Sequence, residues 1–323
     1  MFKRAFFLGL ALVASTSALA ADLKYPDLPI GFSSFGAAVI GDHVYVYGGH
    51  SGKAHSYSTE TTLGDLRRLN LKSPDKWEEL PGGPKMQGLA LVAHAEKLYR
   101  VGGMQPQNSK TEKNDIRSQA SFACFDPATK KWTDLEPLPE ARSSHDAVVV
   151  GDSLFVFGGW TLKGTGKGVW IEHGLSLDLA KPGTKWQLVK QPFQRRALTT
   201  AAFGGKVYVI CGLSAAGKSE KIVNVFDPKS GTWSEGPPVP GVEMNGFTPA
   251  SAVQAGRLFL TPTDGSIYRL SAKHDAWEEV GKLEKGRFVA RMVAGKDGSL
   301  VVIAGAAPGG MLASVERVTP MAK

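Results

Sequence analysis

Four arginines are the residues of this sequence best suited to bind an anion. Each follows a predicted outer strand, at the point where the chain passes to the next unit of a repeat: Arg142, Arg195, Arg196 and Arg287. A guanidinium group presents a planar fork of N–H donors, which fits a carboxylate or a phosphate group. If the four side chains face a common pore, they form a ring of cations suited to such groups.

Two tryptophans, Trp160 and Trp170, lie in or beside the longest loop of the third repeat unit. An indole ring offers a flat apolar surface on which the C–H face of a sugar can stack. The alternative is that both rings pack beneath their own loop. The sequence therefore leaves a carbohydrate contact and a loop core as two readings of this pair.

Imidazole and carboxylate side chains in the same loops are donors that zinc, copper or iron accept. The set comprises His50, His55, Glu60, His145, Glu172 and His173. Their spacing fits no compact metal motif, so we predict no metal and no other cofactor. His50 and Glu172 remain candidate contacts to a ligand, whereas His145 is predicted to lie in a satisfied turn.

The elements that position these residues follow from a repeat. An apolar run followed by a glycine pair, or by a residue and a glycine, recurs at Gly48, Gly102, Gly158, Cys211 and Ala304. A tryptophan recurs in phase with it, at Trp77, Trp132, Trp186, Trp233 and Trp277. The repeat predicts units of four short strands, six in all, with the tryptophan on the outermost strand, and this is the pattern of a propeller blade.

The double glycine after an apolar strand and the downstream tryptophan resemble the Kelch repeat from about residue 22 to residue 318. The resemblance implies an all-β fold, a six-bladed β-propeller. It also implies a structural role for arginines that follow fourth strands, which then bond loop carbonyls near the ring centre. The fold leaves the function open.

The N-terminus is predicted to close the ring. Tyr25, Leu28 and Pro29 repeat the internal spacing of Trp77, Leu80 and Pro81. A strand over residues 23–28 would complete the last blade and remove an exposed sheet edge.

The long loops, 50–62, 104–117 and 160–168, are predicted to open on one face of the ring, and tight turns such as Gly41-Asp42 on the other. Unequal long loops on a rigid scaffold are a usual position for a binding site. We therefore place the binding site on the long-loop face.

Exported six-bladed Kelch proteins of the sialate mutarotase type are similar to this chain in length and in their N-terminal signal peptide. The similarity implies a catalytic glutamate directly after the glycine of the fourth blade and an arginine six residues later. The corresponding positions here hold Leu213 and Ser219.

The first 20 residues have the layout of a secretory signal peptide, with Lys3 and Arg4, an apolar run over 5–13 and a small-residue cleavage site ending at Ala20. We expect a single domain over residues 21–323, periplasmic or extracellular, monomeric and without a membrane span. The formal charge of +8 comes from scattered lysines, so a nucleic-acid partner is not predicted.

Two functions remain open. The leading one is a binding or interaction module for a carbohydrate or for an envelope or extracellular protein, through the long-loop face. The alternative is a sugar-isomerising enzyme of the sialate mutarotase or epimerase type.

Overall fold

The computed structural model describes residues 23–181 and 183–321, in which antiparallel strands dominate. The predicted signal peptide, residues 1–20, lies outside the described residues. Six sheets form the blades, and their strands follow in order from the innermost to the outermost.

The bounds of the blade strands are as follows. Blade one has Gly36–Ile40, His43–His50, Thr62–Asn70 and Glu78–Leu80. Blade two has Ala90–His94, Lys97–Val101, Phe122–Asp126 and Lys131–Asp134, and blade three has Asp146–Val150, Ser153–Phe157, His173–Asp178 and Gln187–Lys190. Blade four has Thr199–Phe203, Lys206–Ile210, Val223–Asp227 and Thr232–Gly236, and blade five has Ala250–Gln254, Arg257–Thr261, Ser266–Leu270 and Trp277–Lys282. Blade six has Arg291–Ala294, Leu300–Ile303 and Val315–Val318.

The core lies between neighbouring blades. Ala38, Tyr45 and Leu66 of blade one, for example, pack with Leu91 and Phe125 of blade two in one buried cluster. Apolar side chains on both faces of the second strands make this packing possible, because each blade is covered on two sides. The six-bladed fold predicted from the repeat is thus confirmed, and its blades are held face to face by hydrophobic contact.

A belt of hydrogen bonds closes the ring around its axis. Just before each innermost strand, one residue adopts a positive φ between 45° and 58°: Ser34, Gly88, Ser144, Ala197, Thr248 and Val289. The amide of each belt residue donates to the belt residue of the preceding blade, as in Ser144 N to Gly88 O at 2.8 Å. Val289 is the variation, since its amide donates to Oγ1 of Thr248. The bond from Ser34 N to Val289 O, at 3.3 Å, joins the first blade to the last.

Each marker tryptophan joins its blade to the one before. The indole Nε1 donates to a backbone carbonyl of the preceding outer segment, in the pairs Trp77 to Pro26, Trp132 to Pro81, Trp186 to Glu136, Trp233 to Lys190 and Trp277 to Pro237. The tryptophan spacing seen in the sequence is therefore the spacing of these links between blades.

The N-terminal segment closes blade six, with two differences from the prediction. Residues 23–28 are not assigned as a strand, although Leu28 N donates to Ala313 O at 2.9 Å. Pro26 accepts from Trp77 as Pro81 accepts from Trp132, so Tyr25 takes the place of Leu80 rather than that of Trp77. The predicted alignment of Tyr25 with Trp77 is therefore three residues out of register. The N-terminal segment repeats the carbonyl acceptor of an outer segment and not its aromatic ring.

Short pairings shape the long-loop face. They are Met104–Pro106 with Ile116–Ser118, Ile116–Ser118 with Lys163–Gly164, Trp160–Thr161 with Val169–Trp170, Arg195–Arg196 with Leu213–Ser214, and Ala306–Ala307 with Gly310–Met311. A single turn of 3-10 helix, Glu243–Gly246, lies before blade five. In the described parts of the chain, no helix has the length and apolar character needed to cross a bilayer.

Candidate functional site

A funnel opens on the long-loop face at the centre of the ring, with a volume of about 540 Å³. The belt residues line it, and below them lies a second ring made by the residues that follow the belt: Phe35, Leu89, His145, Leu198, Pro249 and Ala290. The site predicted on the long-loop face therefore has a concave, partly apolar shape that suits a small ligand.

The loops of the first three blades form one continuous wall. Asn108 of blade two donates from Nδ2 to the carbonyl of Tyr57 in blade one at 2.8 Å, and Asn114 donates to the carbonyl of His55 at 3.1 Å. Lys163–Gly164 of blade three pairs in turn with Ile116–Ser118. These bonds hold one side of the funnel in place before any ligand arrives.

Arg142, Arg195 and Arg287 do not line the funnel, and each is at most 3% exposed. Each donates to the carbonyl of the residue that directly follows a second strand: Gly158, Cys211 and Ala304 respectively. A further bond from each reaches a carbonyl just at or before the third strand, as from Arg142 to His173 O at 3.0 Å. For these three residues the structure supports the structural role, not a ring of cations facing the pore.

Burial lowers the pKa of Arg142 and of Arg195 to about 10, which leaves both guanidinium groups charged at neutral pH. Glu140 partly offsets the burial of Arg142, with an Nη2 to Oε1 distance of 3.2 Å. Arg287 has the stronger partner, Glu316, at 2.6 Å.

Arg196 is the arginine of the four that lines the funnel. Its guanidinium carbon lies 4.0 Å from the ring centre of Trp160 and 5.7 Å from that of Trp170. The two indoles are 5.9 Å apart and stand on paired strands, so one supports the other. Trp160 lines the funnel and Trp170 backs it, which unites the predicted arginine and tryptophan candidates in one place.

His50 lines the funnel but is only 1% exposed. Its Nε2 contacts the carbonyl of Lys53 at 3.0 Å, and burial lowers its pKa, so the neutral imidazole donates that bond. The ring packs against Tyr57, with centroids 4.9 Å apart. Glu172 does not line the funnel and accepts a bond from Gln194, so the prediction of a ligand contact at Glu172 is not supported.

An ion pair beneath the funnel was not foreseen from the sequence. Arg291 of blade six donates to Asp146 of blade three at 3.0 Å, across the axis of the ring. It also donates to the carbonyl of Phe35 in blade one at 3.0 Å and to that of Leu89 in blade two at 3.4 Å.

Asp146 extends this network to the other blades. It accepts from the amide of Thr200 in blade four at 2.8 Å, and Thr199 Oγ1 lies 2.9 Å from Ser251 Oγ in blade five. The network, which we call the hub, thus reaches all six blades and makes the floor of the funnel polar. Asp146 and Arg291 are 145 positions apart, and no local pattern links them.

His145 lies directly above the hub and is 3% exposed, and its Nδ1 is buried with no hydrogen-bond partner among the described residues. Its Nε2 contacts the carbonyl of Val101 at 3.1 Å. Burial, aided by the charges of Arg142 and Arg291, lowers its pKa to about 3, so the ring stays neutral.

The charge of the funnel is one-sided. Among the described residues that line it, none is an aspartate or a glutamate, whereas two arginines and three histidines are present. Across residues 23–181 and 183–321, no group of three histidine, cysteine, aspartate or glutamate side chains is placed to hold a metal ion.

The two positions that correspond to the mutarotase pattern also have clear places. Leu213 lines the funnel beside Arg196, its partner in a two-residue ladder. Ser219 is buried and bridges back to Leu213, and its amide contacts Glu243 at 3.3 Å. Neither side chain can move a proton between a base and an acid at neutral pH.

Comparison with known proteins agrees with the fold. The KLHDC2/KLHL20/DRC7 Kelch-repeats domain matches residues 24–159 and 88–305. N-acetylneuraminate epimerase of Pasteurella multocida (strain Pm70) is 33% identical over 175 residues, which are 53% of this chain and 41% of that protein. Kelch-like protein 23 of Homo sapiens is 29% identical over 161 residues, 49% of this chain and 24% of that protein.

The matched segments thus span less than half of the length of these curated relatives. Among solved structures, "Structure of YjhT" is similar with a TM-score of 0.72 at 17% identity, over 91% of this chain and 97% of that chain. This likeness supports the propeller fold.

Proposed function

The chain belongs to the Kelch-repeat family, and from this premise we propose that it is a binding module that takes a carbohydrate in the funnel of its long-loop face. The observation that carries the proposal is the funnel itself, which is about 540 Å³ in volume and is lined by Trp160, with Trp170 packed behind it. That volume lies within the range of small-molecule sites, which is roughly 300 to 1,000 Å³.

Preorganisation supports a ligand-binding role. The wall is joined by bonds between the loops of blades one, two and three, and the hub supports the floor. A site that is already in place loses less conformational entropy when the ligand binds. Such a wall is more than the fold itself requires, because blade five joins its second and third strands with residues 262–265 alone.

We propose further that the mature protein is one domain over residues 21–323 and works outside the cytoplasm. The basic residues Lys3 and Arg4, the apolar run after them and the small residues before Ala21 support this location. The N-terminal sequence of the mature protein from a cell fraction tests it. A chain that keeps residues 1–20 in the cytoplasmic fraction would contradict it.

Sugar isomerisation is the second candidate, because the relatives named N-acetylneuraminate epimerase match about half of this chain. Leu213 stands where that mechanism needs a glutamate, so a different residue would have to act as the base. Saturation-transfer NMR on the two anomers of N-acetylneuraminate measures the activity directly. If the two anomers exchange no faster with the protein than in buffer alone, this candidate is excluded.

The binding proposal is tested by a thermal-shift screen of monosaccharides and short oligosaccharides, followed by calorimetry of each hit. Trp160→Ala should weaken binding about tenfold or more, since the indole lines the funnel and holds the guanidinium of Arg196 at 4.0 Å. Asp152→Ala, on the tight-turn face, is the control and should bind as the parent does. If no carbohydrate binds, or if Trp160→Ala lowers stability but keeps full affinity, the funnel is not a carbohydrate site.

A further inference from the structure

Arg196 differs from every other arginine of the ring centre in having no polar partner among the residues that the structure describes. Arg142, Arg195, Arg287 and Arg291 all donate to carbonyl or carboxylate oxygens. Within the described residues, Arg196 makes no side-chain hydrogen bond and no ion pair, and its Nε is buried without an acceptor. A cation removed from water without an anion is unfavourable unless something else compensates it.

The indole of Trp160 compensates the face of this guanidinium but not its edge. A cation–π contact at 4.0 Å uses the π surface of the ring and the flat side of the guanidinium group. The N–H bonds lie in the plane of the group, so the stack leaves them free to donate. The backbone of Arg196 is held by its pairing with Leu213, which fixes the position from which the side chain extends.

A second donor lies near the same place. Tyr57 lines the funnel, and the charge of Arg196 acts on its phenol, lowering a pKa that burial raises. The backbone of His55 also donates a hydrogen bond to the phenol oxygen and lowers the same pKa, which leaves the O–H of Tyr57 to donate elsewhere. Tyr57 therefore stays protonated at neutral pH and can donate to an anion held by Arg196.

We infer that the funnel selects sugars that carry a carboxylate group, which forms a bidentate pair with Arg196 and accepts a bond from Tyr57. This inference rests on the proposed function and names its ligand class. The part of the lining that the structure describes has no aspartate or glutamate and so offers no competing anion. A single guanidinium group matches one planar, singly charged carboxylate better than a doubly charged phosphate.

The test compares acids with their neutral counterparts of the same shape. Calorimetry is run with glucuronate against glucuronamide and with N-acetylneuraminate against its methyl ester, and glucose 6-sulfate tests another anion. The parent should bind at least one acid about tenfold more tightly than its neutral counterpart. Tighter binding of the sulfate than of either acid would overturn the choice of a carboxylate.

Substitutions assign the preference to its residue. Arg196→Gln should abolish the preference for the acid, and Arg196→Lys should keep part of it because the charge remains without the fork. Tyr57→Phe should weaken the binding of the acid more than the binding of its neutral counterpart. Arg257→Gln removes the same charge from an exposed position on the opposite face and serves as the matched control. Melting temperatures establish that each variant is folded. If Arg196→Gln does not fold, Arg196→Lys and Tyr57→Phe are used in its place to test the preference for the acid.

The outcomes separate the two proposals. If acid and neutral sugar bind equally, or if Arg196→Gln keeps the preference, the inference about the carboxylate fails while carbohydrate binding stands. If none of the probes and no other sugar binds, both fail.

Discussion

At the scale of single residues, Arg195 and Arg196 show how neighbours in the sequence acquire different roles. Successive side chains of an extended segment point to opposite sides. Arg195 consequently reaches the carbonyls of Cys211 and Ile222 inside blade four, while Arg196 reaches Trp160 in the funnel. The two have the same charge and reach, and only the side to which each points makes one structural and the other available to a ligand.

Arg287→Ala should destabilise the protein by about 3 to 5 kcal/mol, since it leaves Glu316 charged and without its partner at 2.6 Å. Urea unfolding measures the change. Arg257→Ala, at the exposed first residue of the strand Arg257–Thr261, is the matched variant and should stay within about 0.5 kcal/mol of the parent. Equal stability of the two variants would show that Arg287 does not hold blade six together.

Acid should weaken the fold through His145. Its pKa is about 3 in the folded protein and near 6.5 when unfolded, so between these values the unfolded chain binds the extra proton. The stabilisation is complete above about pH 6.5 and falls by up to about 1.4 kcal/mol for each pH unit below it. Unfolding titrations at pH 7, 6 and 5 should show a smaller slope for His145→Gln than for the parent. An identical slope would mean that another group governs acid stability.

At the scale of elements, the links between blades are as informative as the strands within them. The five tryptophans each donate an N–H bond to the preceding blade, and Trp77 makes that bond to the N-terminal segment. The segment 23–28 therefore closes the ring through an indole bond and through Tyr25, which is 3% exposed and donates to Leu71 O at 3.0 Å. Closure here depends on side chains more than on a regular ladder.

Tyr25→Ala should destabilise the ring by about 3 kcal/mol, as for other large buried side chains, and deletion of residues 21–29 should give insoluble protein. Leu188→Ala, at a side chain that is 71% exposed, is the control and should have little effect. Thermal unfolding and size-exclusion chromatography give the answer. A monomeric deletion variant with the parent's melting temperature would refute closure by this segment.

At the scale of the whole molecule, the belt and the hub make the ring a closed unit. The belt joins each blade to its neighbour, and the hub joins blades on opposite sides of the axis through Asp146 and Arg291. The funnel is wide above the belt and has polar, bonded groups beneath it. A ligand should therefore enter and leave through the long-loop face.

Asp146→Ala should lower the free energy of unfolding by about 3 to 5 kcal/mol, because Arg291 and the amide of Thr200 lose their shared acceptor. The exposed pair Arg117–Asp115 provides the comparison, and Asp115→Ala should change it by less than about 1 kcal/mol. Denaturant titration of both variants is the measurement. Equal losses would show that the hub contributes no more than a surface pair.

The sequence by itself determined the fold, the face and part of the site. Glycine pairs and tryptophans at a fixed spacing specify local turns and blade contacts, so they give six blades without knowledge of distant residues. Long loops on one face located the funnel, and Arg196, Trp160, Trp170 and His50 were among the residues selected for it.

Only the tertiary structure decided which of those residues meet. It placed Arg142, Arg195 and Arg287 inside the blades, moved Tyr25 to the position of Leu80, and brought Asp146 to Arg291 across the axis. The physical reason is that repeats encode contacts between neighbouring units, whereas the orientation of a loop side chain and an ion pair across a ring depend on the packing of all units together.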